Sequence, residues 1–138
     1  VTSQLLQLER SLDLIGRVQW LPHLSDEDLE RQWRSSFCLL STSLMEGCDY
    51  PLLEAQARGL PTLASRIPVH EELHKEAASL FDLDDDGVSL ATQIQQLARD
   101  SCLWKHLSQA GLINAQQFTL QQQSCSIHQL LSSLCSNR

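Results

Sequence analysis

Hydrophobic and polar positions between residues 37 and 65 follow the order strand, loop, helix and strand. The apolar run at residues 37–40 predicts a strand, and a polar loop follows it. Pro51 is typical of the first position of a helix, and Gly59 of the position just after a helix ends. A second apolar run, at residues 60–65, predicts a buried strand. The pattern predicts an α/β fold with a parallel sheet.

Helical patterning extends on both sides of this unit. Ser25 and Asp28 have capping-box spacing, which predicts a helix start upstream. Downstream, the Gln-rich C-terminal third also has a helical pattern. Its apolar residues have spacings that suit a stripe, which core packing explains best: Leu97, Trp104, Leu107, Leu112 and Ile113.

Two carboxylates, Glu46 and Glu54, stand eight positions apart across the predicted loop and helix. A loop after a parallel strand lies at the carboxyl edge of the sheet, where α/β sheets bind ligands, so both acids can share one crevice. Gly47 lets the backbone approach a ligand closely, and the N–H groups near Pro51 suit a phosphate. Carboxylates accept strong hydrogen bonds from sugar hydroxyls. Spacing alone leaves a second interpretation open, in which Glu46 caps the loop and Glu54 is a solvated helix residue.

Two other motifs are similar to metal sites. His70 and His74 fit H-E-x-x-H, which on a helix places two imidazoles on one face with Glu71 as a base. No third ligand is marked, so we expect no zinc. Residues 82–87 are similar to the start of a calcium loop, but its twelfth position is Gln93 instead of a bidentate Glu. We therefore expect an acidic turn that caps the next helix, and we predict no metal and no cofactor.

Composition narrows the class of protein. The 138 residues suffice for one core, and 42% hydrophobic with 20% charged residues is typical of a globular chain. No apolar run approaches the roughly 20 residues of a membrane span, and no signal peptide is recognisable. The formal charge of -7 disfavours nucleic acid. The five cysteines are scattered without C-x-x-C spacing, which indicates reduced thiols, and we predict a cytoplasmic domain.

The stretch around the two acids shares more than their spacing with a known family. EGCDYPLLEAQARGLPTLAS, which begins at Glu46, resembles the E-x7-E region of retaining glycosyltransferases of family 4, which have the GT-B fold. The likeness covers residues 12–131, and in LIGRVQWL it includes a glycine followed by a short strand. Further segments agree with the family in the same order: LSDEDL from Leu24, IPVHEEL from Ile67 and AASLFD from Ala77.

The resemblance implies roles for particular residues. The first acid, Glu46, is then the catalytic residue beside the reacting carbon of the donor sugar, and Glu54 binds the nucleotide ribose. Backbone amides after the first acid approach the sugar and the diphosphate: Gly47, Cys48, Asp49 and Tyr50. The family usually has Phe-Gly or a similar pair in place of Cys48-Asp49, so Asp49 adds negative charge near the diphosphate. Alternatively, Asp49 is a turn residue whose side chain bonds its own backbone.

The resemblance also implies a larger protein. Complete enzymes of the family have two Rossmann-like domains, and this chain corresponds to the C-terminal, donor-binding one with an incomplete sheet, whose first strand is expected upstream of Val1. The expected function is retaining transfer of a hexose from a nucleotide sugar to an unknown acceptor, with the isolated chain inactive because the N-terminal domain is missing. The alternative is a non-catalytic GT-B remnant that acts as an interaction module. The last helix often crosses to the N-terminal domain in full-length relatives, so residues 120–134 are expected either in the core or as an exposed docking helix.

Overall fold

A computed structural model describes residues 3–136 of the chain. Contacts divide the chain into two compact units, one that ends at Ser35 and one that begins at Ser36. Among residues 3–136, no helix is both long enough and apolar enough to cross a lipid bilayer.

The first unit contains two helices connected by turns and coil. Helix α1 is Ser3–Ser11 and helix α2 is Asp26–Ser35. The Ser25 hydroxyl accepts from the Asp28 amide at 3.1 Å and donates to the Asp28 carboxylate at 2.7 Å, which confirms the predicted cap. The short strand implied for residues 18–21 is wrong, because these residues are coil. No strand of the described chain pairs with them, and an unpaired strand leaves its backbone groups unbonded.

The second unit is built on a parallel sheet of three strands, β1 Leu39–Ser41, β2 Thr62–Ser65 and β3 Ala78–Phe81, in that order. In its register Leu40 lies opposite Leu63, which lies opposite Ser79. The predicted α/β class and the parallel sheet are confirmed. Both predicted strands begin two residues later than expected. For β2 the reason is visible, because Pro61 has no N–H to donate and only its carbonyl joins β1.

The second unit also contains helices and one 3-10 turn: α3 Tyr50–Ala57, α4 Pro68–His74, α5 Val88–Arg99, α6 Ser101–Ala115, the 3-10 turn Gln116–Phe118 and α7 Leu120–Ser136. Gly59 follows the end of α3 with a φ of 69°, as its position in the sequence predicted. Asp85 accepts hydrogen bonds from the amides of Gly87 and Ser89 at 3.1 and 2.7 Å. This confirms the acidic turn that caps α5.

Two hydrophobic clusters cover opposite faces of the sheet. Neighbouring strand residues point to opposite faces, so Leu63 and Ala64 belong to different clusters. Each cluster joins strands to helices: Leu52, Ala64, Ala78 and Leu80 on one face, and Leu63, Phe81, Leu97 and Leu107 on the other. The first cluster anchors α3, and the second anchors α5 and α6.

The predicted apolar stripe is only partly buried. Leu97 and Leu107 are 2% and 6% exposed, whereas Ile113 is 54% exposed. Along α7 every side chain from Leu120 to Cys135 is exposed, so of the two alternatives for residues 120–134 the structure excludes the core.

Candidate functional site

The loop after β1 carries Glu46 at the carboxyl edge of the sheet. The Ser43 hydroxyl donates to Glu46 Oε1 at 2.7 Å, and the Glu46 side chain is exposed. The Ser43 carbonyl in turn accepts from the Ser65 hydroxyl at 2.5 Å. The end of β2 is therefore hydrogen-bonded to the loop, and the Glu46 side chain lies on the side of the loop that faces solvent.

Gly47 is open to solvent on the side where a side chain would lie. A Cβ atom built on Gly47 meets no heavy atom within 4 Å, and its φ is not positive. Neither local conformation nor packing within the described chain therefore requires glycine here. A ligand that approaches this backbone closely is a physical reason for the missing side chain.

Asp49 occupies the N-cap of α3 and is 6% exposed. Its backbone is in the left-handed region, with a φ of 52°, and its carboxylate accepts from the Leu52 amide at 3.4 Å. The interpretation of Asp49 as a turn residue that bonds its own backbone is confirmed. Two predictions are corrected: α3 begins at Tyr50 and not at Pro51, and the Leu52 amide is not free for a phosphate, because Asp49 already bonds it.

The exposed face of α3 borders a cleft of about 640 Å³. Tyr50, Glu54 and Arg58 recur on this face every four residues, as helical geometry requires. The cleft closes on its other side against the chain from α6 to α7. Its lining includes Cys48, Tyr50, Glu54, Arg58, Phe118 and Leu120.

The cleft brings together three of the residues singled out in the sequence. Cys48, Tyr50 and Glu54 line it, whereas Glu46, Gly47 and Asp49 do not. The crevice expected for both acids therefore contains only Glu54. The reason is that Glu46 belongs to a loop whose Ser43 is hydrogen-bonded to Ser65, and this contact holds the loop over the strand ends. The roles of the two acids stay predictions.

A buried polar network lies beneath this surface, and the sequence did not point to most of its members. The Gln56 side chain is fully buried and donates to Thr62 Oγ1 at 3.2 Å and to the Ala77 carbonyl at 3.3 Å. Asn114 Nδ2 donates to Gln56 Oε1 at 2.9 Å and to the Leu73 carbonyl at 3.0 Å. The network thus connects α3 to β2, α4 and α6. In the sequence, only the four-residue spacing of two histidines on α4 indicated part of this network.

These histidines, His70 and His74, lie on one face of α4, as the H-E-x-x-H spacing predicted, with ring centroids 6.0 Å apart. Both rings are buried, at 0% and 1% exposure. Their nitrogens face oxygen atoms of the protein, and Glu71 pairs with Arg66 at 3.4 Å. Within residues 3–136, no three His, Cys, Asp or Glu side chains are grouped so that they hold a metal ion.

The surroundings of His74 favour the neutral form of its ring. Its Nε2 faces the Cys48 carbonyl at 3.5 Å and donates to it, and Nδ1 lies 3.4 Å from both Gln56 Oε1 and Asn114 Nδ2. Burial lowers the pKa of His74 from its ordinary value of 6.5, and the Cys48 carbonyl partly opposes this by favouring the charged ring. His70 is an additional cause of the lowered pKa, and Asp49 acts in the opposite direction.

The lowered pKa of His74 predicts that acid destabilises the fold. Below 6.5 the unfolded chain binds a proton that folded His74 excludes, so the free energy of unfolding falls as the pH drops from 6.5 toward the pKa of the folded state. Chemical denaturation at a series of pH values measures this. His74→Gln retains a donor for the Cys48 carbonyl without titrating, and we expect a smaller change of stability over the same pH range. Equal pH dependence in both proteins contradicts the prediction.

The fold and the site together define a class of protein. The chain superimposes on sucrose-phosphate synthase from Thermosynechococcus elongatus with a TM-score of 0.77 and 21% identity, over 98% of this chain and 34% of that one. It superimposes on the C-terminal domain of a glycosyl transferase group 1 family protein from Francisella tularensis with a TM-score of 0.66 and 18% identity, over 85% of this chain and 65% of that one. These likenesses show the fold, which is that of a GT-B C-terminal domain.

Residues 2–100 match the family described as glycosyl transferases group 1. The chain belongs to this family. It is 30% identical over 105 residues to O-antigen chain mannosyltransferase B of Escherichia coli, a match over 75% of this chain and 27% of the relative. It is 27% identical over 124 residues to sucrose-phosphate synthase 1 of Arabidopsis thaliana, over 86% of this chain and 12% of the relative. The chain thus spans a minor part of the curated relatives that it matches.

Proposed function

We propose that this chain is the donor-binding part of a retaining glycosyltransferase, which transfers a hexose from a nucleotide sugar to an acceptor. Membership of the family specifies neither the mechanism nor the donor, and the proposal adds both. Relatives named as a mannosyltransferase and as a sucrose-phosphate synthase support a hexose donor. The resemblance of the E-x7-E region to retaining glycosyltransferases of family 4 supports retention. The complete activity needs the rest of the protein, so the chain alone binds a donor without turnover.

One observation carries the proposal: the Glu54 carboxylate stands at the cleft on the exposed face of α3, at the second acid of the E-x7-E pattern. A carboxylate beside a cleft suits a ligand rich in hydroxyl groups, because it accepts charge-assisted hydrogen bonds. The resemblance to the family assigns Glu54 to the ribose. Glu46, on the neighbouring loop, is assigned to the reacting sugar.

The position of Asp49 removes the charge-based reason for preferring a non-catalytic remnant. An Asp in this loop was expected to repel a diphosphate. Its carboxylate instead points inward, to Ser41 Oγ at 2.5 Å and to His70 Nε2 at 3.0 Å. The negative charge is thus bonded to a half-buried hydroxyl and a buried ring, and it does not face the donor side of the loop.

Isothermal titration calorimetry of the chain with UDP-, GDP- and ADP-sugars tests the proposal. We expect one of the three nucleotide classes to bind, with the corresponding free nucleotide competing. If none of them binds to the chain or to the protein extended upstream of Val1, the proposal is wrong and an interaction module becomes the better hypothesis.

Gly47→Ala separates ligand contact from folding. Because a Cβ at this position meets only open space, we expect the melting temperature to stay within about 1 °C of wild type, which corresponds to a few tenths of a kcal/mol. Donor affinity should fall by about tenfold or more, because the new methyl group occupies the space of a closely bound ligand.

Gly59→Ala is the matched control. Its φ is 69°, and a Cβ there lies 3.3 Å from Ser108 Oγ, so we expect lower stability with donor affinity retained. A Gly47→Ala protein that binds the donor as well as wild type contradicts the close approach of the ligand.

A further inference from the structure

The ring nitrogens of His70 face a backbone carbonyl and a carboxylate, and the Ser65 hydroxyl oxygen lies farther away, at 3.5 Å from Nδ1. Nδ1 is 2.7 Å from the Ser65 carbonyl oxygen, and Nε2 is 3.0 Å from Asp49 Oδ2. Nε2–H donates to the Asp49 carboxylate, because a carboxylate oxygen accepts hydrogen bonds. His70 and Asp49 therefore form a buried, hydrogen-bonded pair.

The His70–Asp49 pair connects the strands and helices that lie beneath the loop carrying Glu46. Besides His70, the Asp49 carboxylate accepts from the Ser41 hydroxyl at the end of β1 and from the Leu52 amide in α3. His70 belongs to α4 and bonds the end of β2 through the Ser65 carbonyl. Two strands and two helices are thus connected through one carboxylate and one imidazole, both shielded from water.

His74 holds the residue before Asp49. Its Nε2 donates to the Cys48 carbonyl, so two histidines one turn apart on α4 bond two consecutive residues of the loop. The titratable groups that face His70 within the described chain are Asp49 and His74. Glu71, on the same helix, turns away to Arg66.

We propose that His70 and Asp49 are positioning residues that fix the donor loop, defined as residues 46–50, in the conformation that binds the donor. This inference rests on the proposed function, and it names the contact that holds the donor loop in place. Asp49 is the fixed point, because its left-handed backbone turns the chain into α3 while its side chain is anchored to His70. The backbone amides of Gly47 and Cys48 are thereby presented at the sheet edge.

Three variants separate the carboxylate from the backbone it stands on. Asp49→Gly accommodates a φ of 52° without strain, so it removes only the side chain and leaves His70 Nε2 without its acceptor. Asp49→Asn retains the cap, tolerates the same backbone, and can donate to a neutral His70. Leu97→Ala is the control for general destabilisation, because Leu97 is buried in the cluster on the other face of the sheet.

Amide hydrogen exchange of the ligand-free chain, followed by NMR, is the first measurement. We expect exchange at the Leu52 and Leu53 amides, which bond Asp49, to accelerate by roughly ten- to a hundredfold in Asp49→Gly. Asp49→Asn should stay within about threefold of wild type. Leu97→Ala should not accelerate these two amides selectively. Exchange at these amides that is equal in Asp49→Gly and Leu97→Ala overturns the proposal.

Nitrogen NMR of the His70 ring is the second measurement. We expect Nε2 to carry a proton that is hydrogen-bonded to Asp49 in the wild-type chain, and the Nε2 signal to move in Asp49→Gly. An Nε2 signal that is the same in both proteins overturns the contact.

Donor titration completes the test. If a nucleotide sugar binds the wild-type chain, we expect Asp49→Gly to weaken it by about tenfold and Asp49→Asn to restore most of the affinity. Unchanged affinity in Asp49→Gly overturns the positioning role. If no nucleotide sugar binds any variant, the proposed function fails, and the exchange and ring measurements still decide whether the pair fixes the loop.

Discussion

Replacing Glu54 by alanine is expected to weaken donor binding by roughly ten- to a hundredfold, because a charge-assisted hydrogen bond to ribose contributes about 1.5 to 3 kcal/mol. The side chain is exposed on α3, so the melting temperature should change little. Glu46→Ala should act mainly on the sugar, and therefore weaken binding of the nucleotide sugar more than binding of the free nucleotide.

Glu72→Ala is the matched control for the loss of one negative charge. Glu72 is an exposed residue of α4 and does not line the cleft. Calorimetry with the tightest-binding nucleotide sugar compares the three variants. If Glu54→Ala and Glu72→Ala bind the donor with equal affinity, Glu54 does not belong to the donor site.

Replacing Leu52 by alanine is expected to lower the free energy of unfolding by about 2 to 5 kcal/mol, since it leaves a cavity in the core. Leu52 is 0% exposed and packs α3 onto the sheet through Ala64, Ala78 and Leu80. Because α3 carries Glu54, donor affinity should fall together with stability.

Leu52→Met keeps the volume and should cost less than about 1.5 kcal/mol. Denaturant titration measures both values. A Leu52→Ala protein as stable as the Leu52→Met protein shows that this contact does not anchor the helix.

The fold was readable from the sequence where local chemistry and tertiary packing agree. Gly59 marks the end of α3 because its positive φ suits glycine, and Ser25 caps a helix through contacts within four residues. The strand implied at residues 18–21 failed, because a strand needs a partner and local sequence does not supply one. The start of α3 shifted by one residue because the cap is Asp49, whose role also depends on distant partners.

The candidate site was predictable only in part for the same reason. The spacing of Glu46 and Glu54 places them on a loop and a helix, but the loop contacts that separate Glu46 from the cleft involve Ser65, far along the chain. Likewise, Asp49 and His70 are 21 positions apart, so their pairing is a tertiary contact that no local pattern encodes. The H-E-x-x-H spacing correctly predicted that the rings of His70 and His74 lie on one face of α4. It did not predict which atoms the rings contact.

The exposure of α7 indicates which part of the second unit unfolds first. Its side chains from Leu120 to Cys135 bury little surface, and a helix of 17 residues is marginally stable in water without packing. Strand β2, by contrast, is buried along its whole length. The second unit therefore has at least two cooperative levels: α7 unravels at low free-energy cost while the sheet stays intact, and β2 becomes accessible only when the whole unit unfolds.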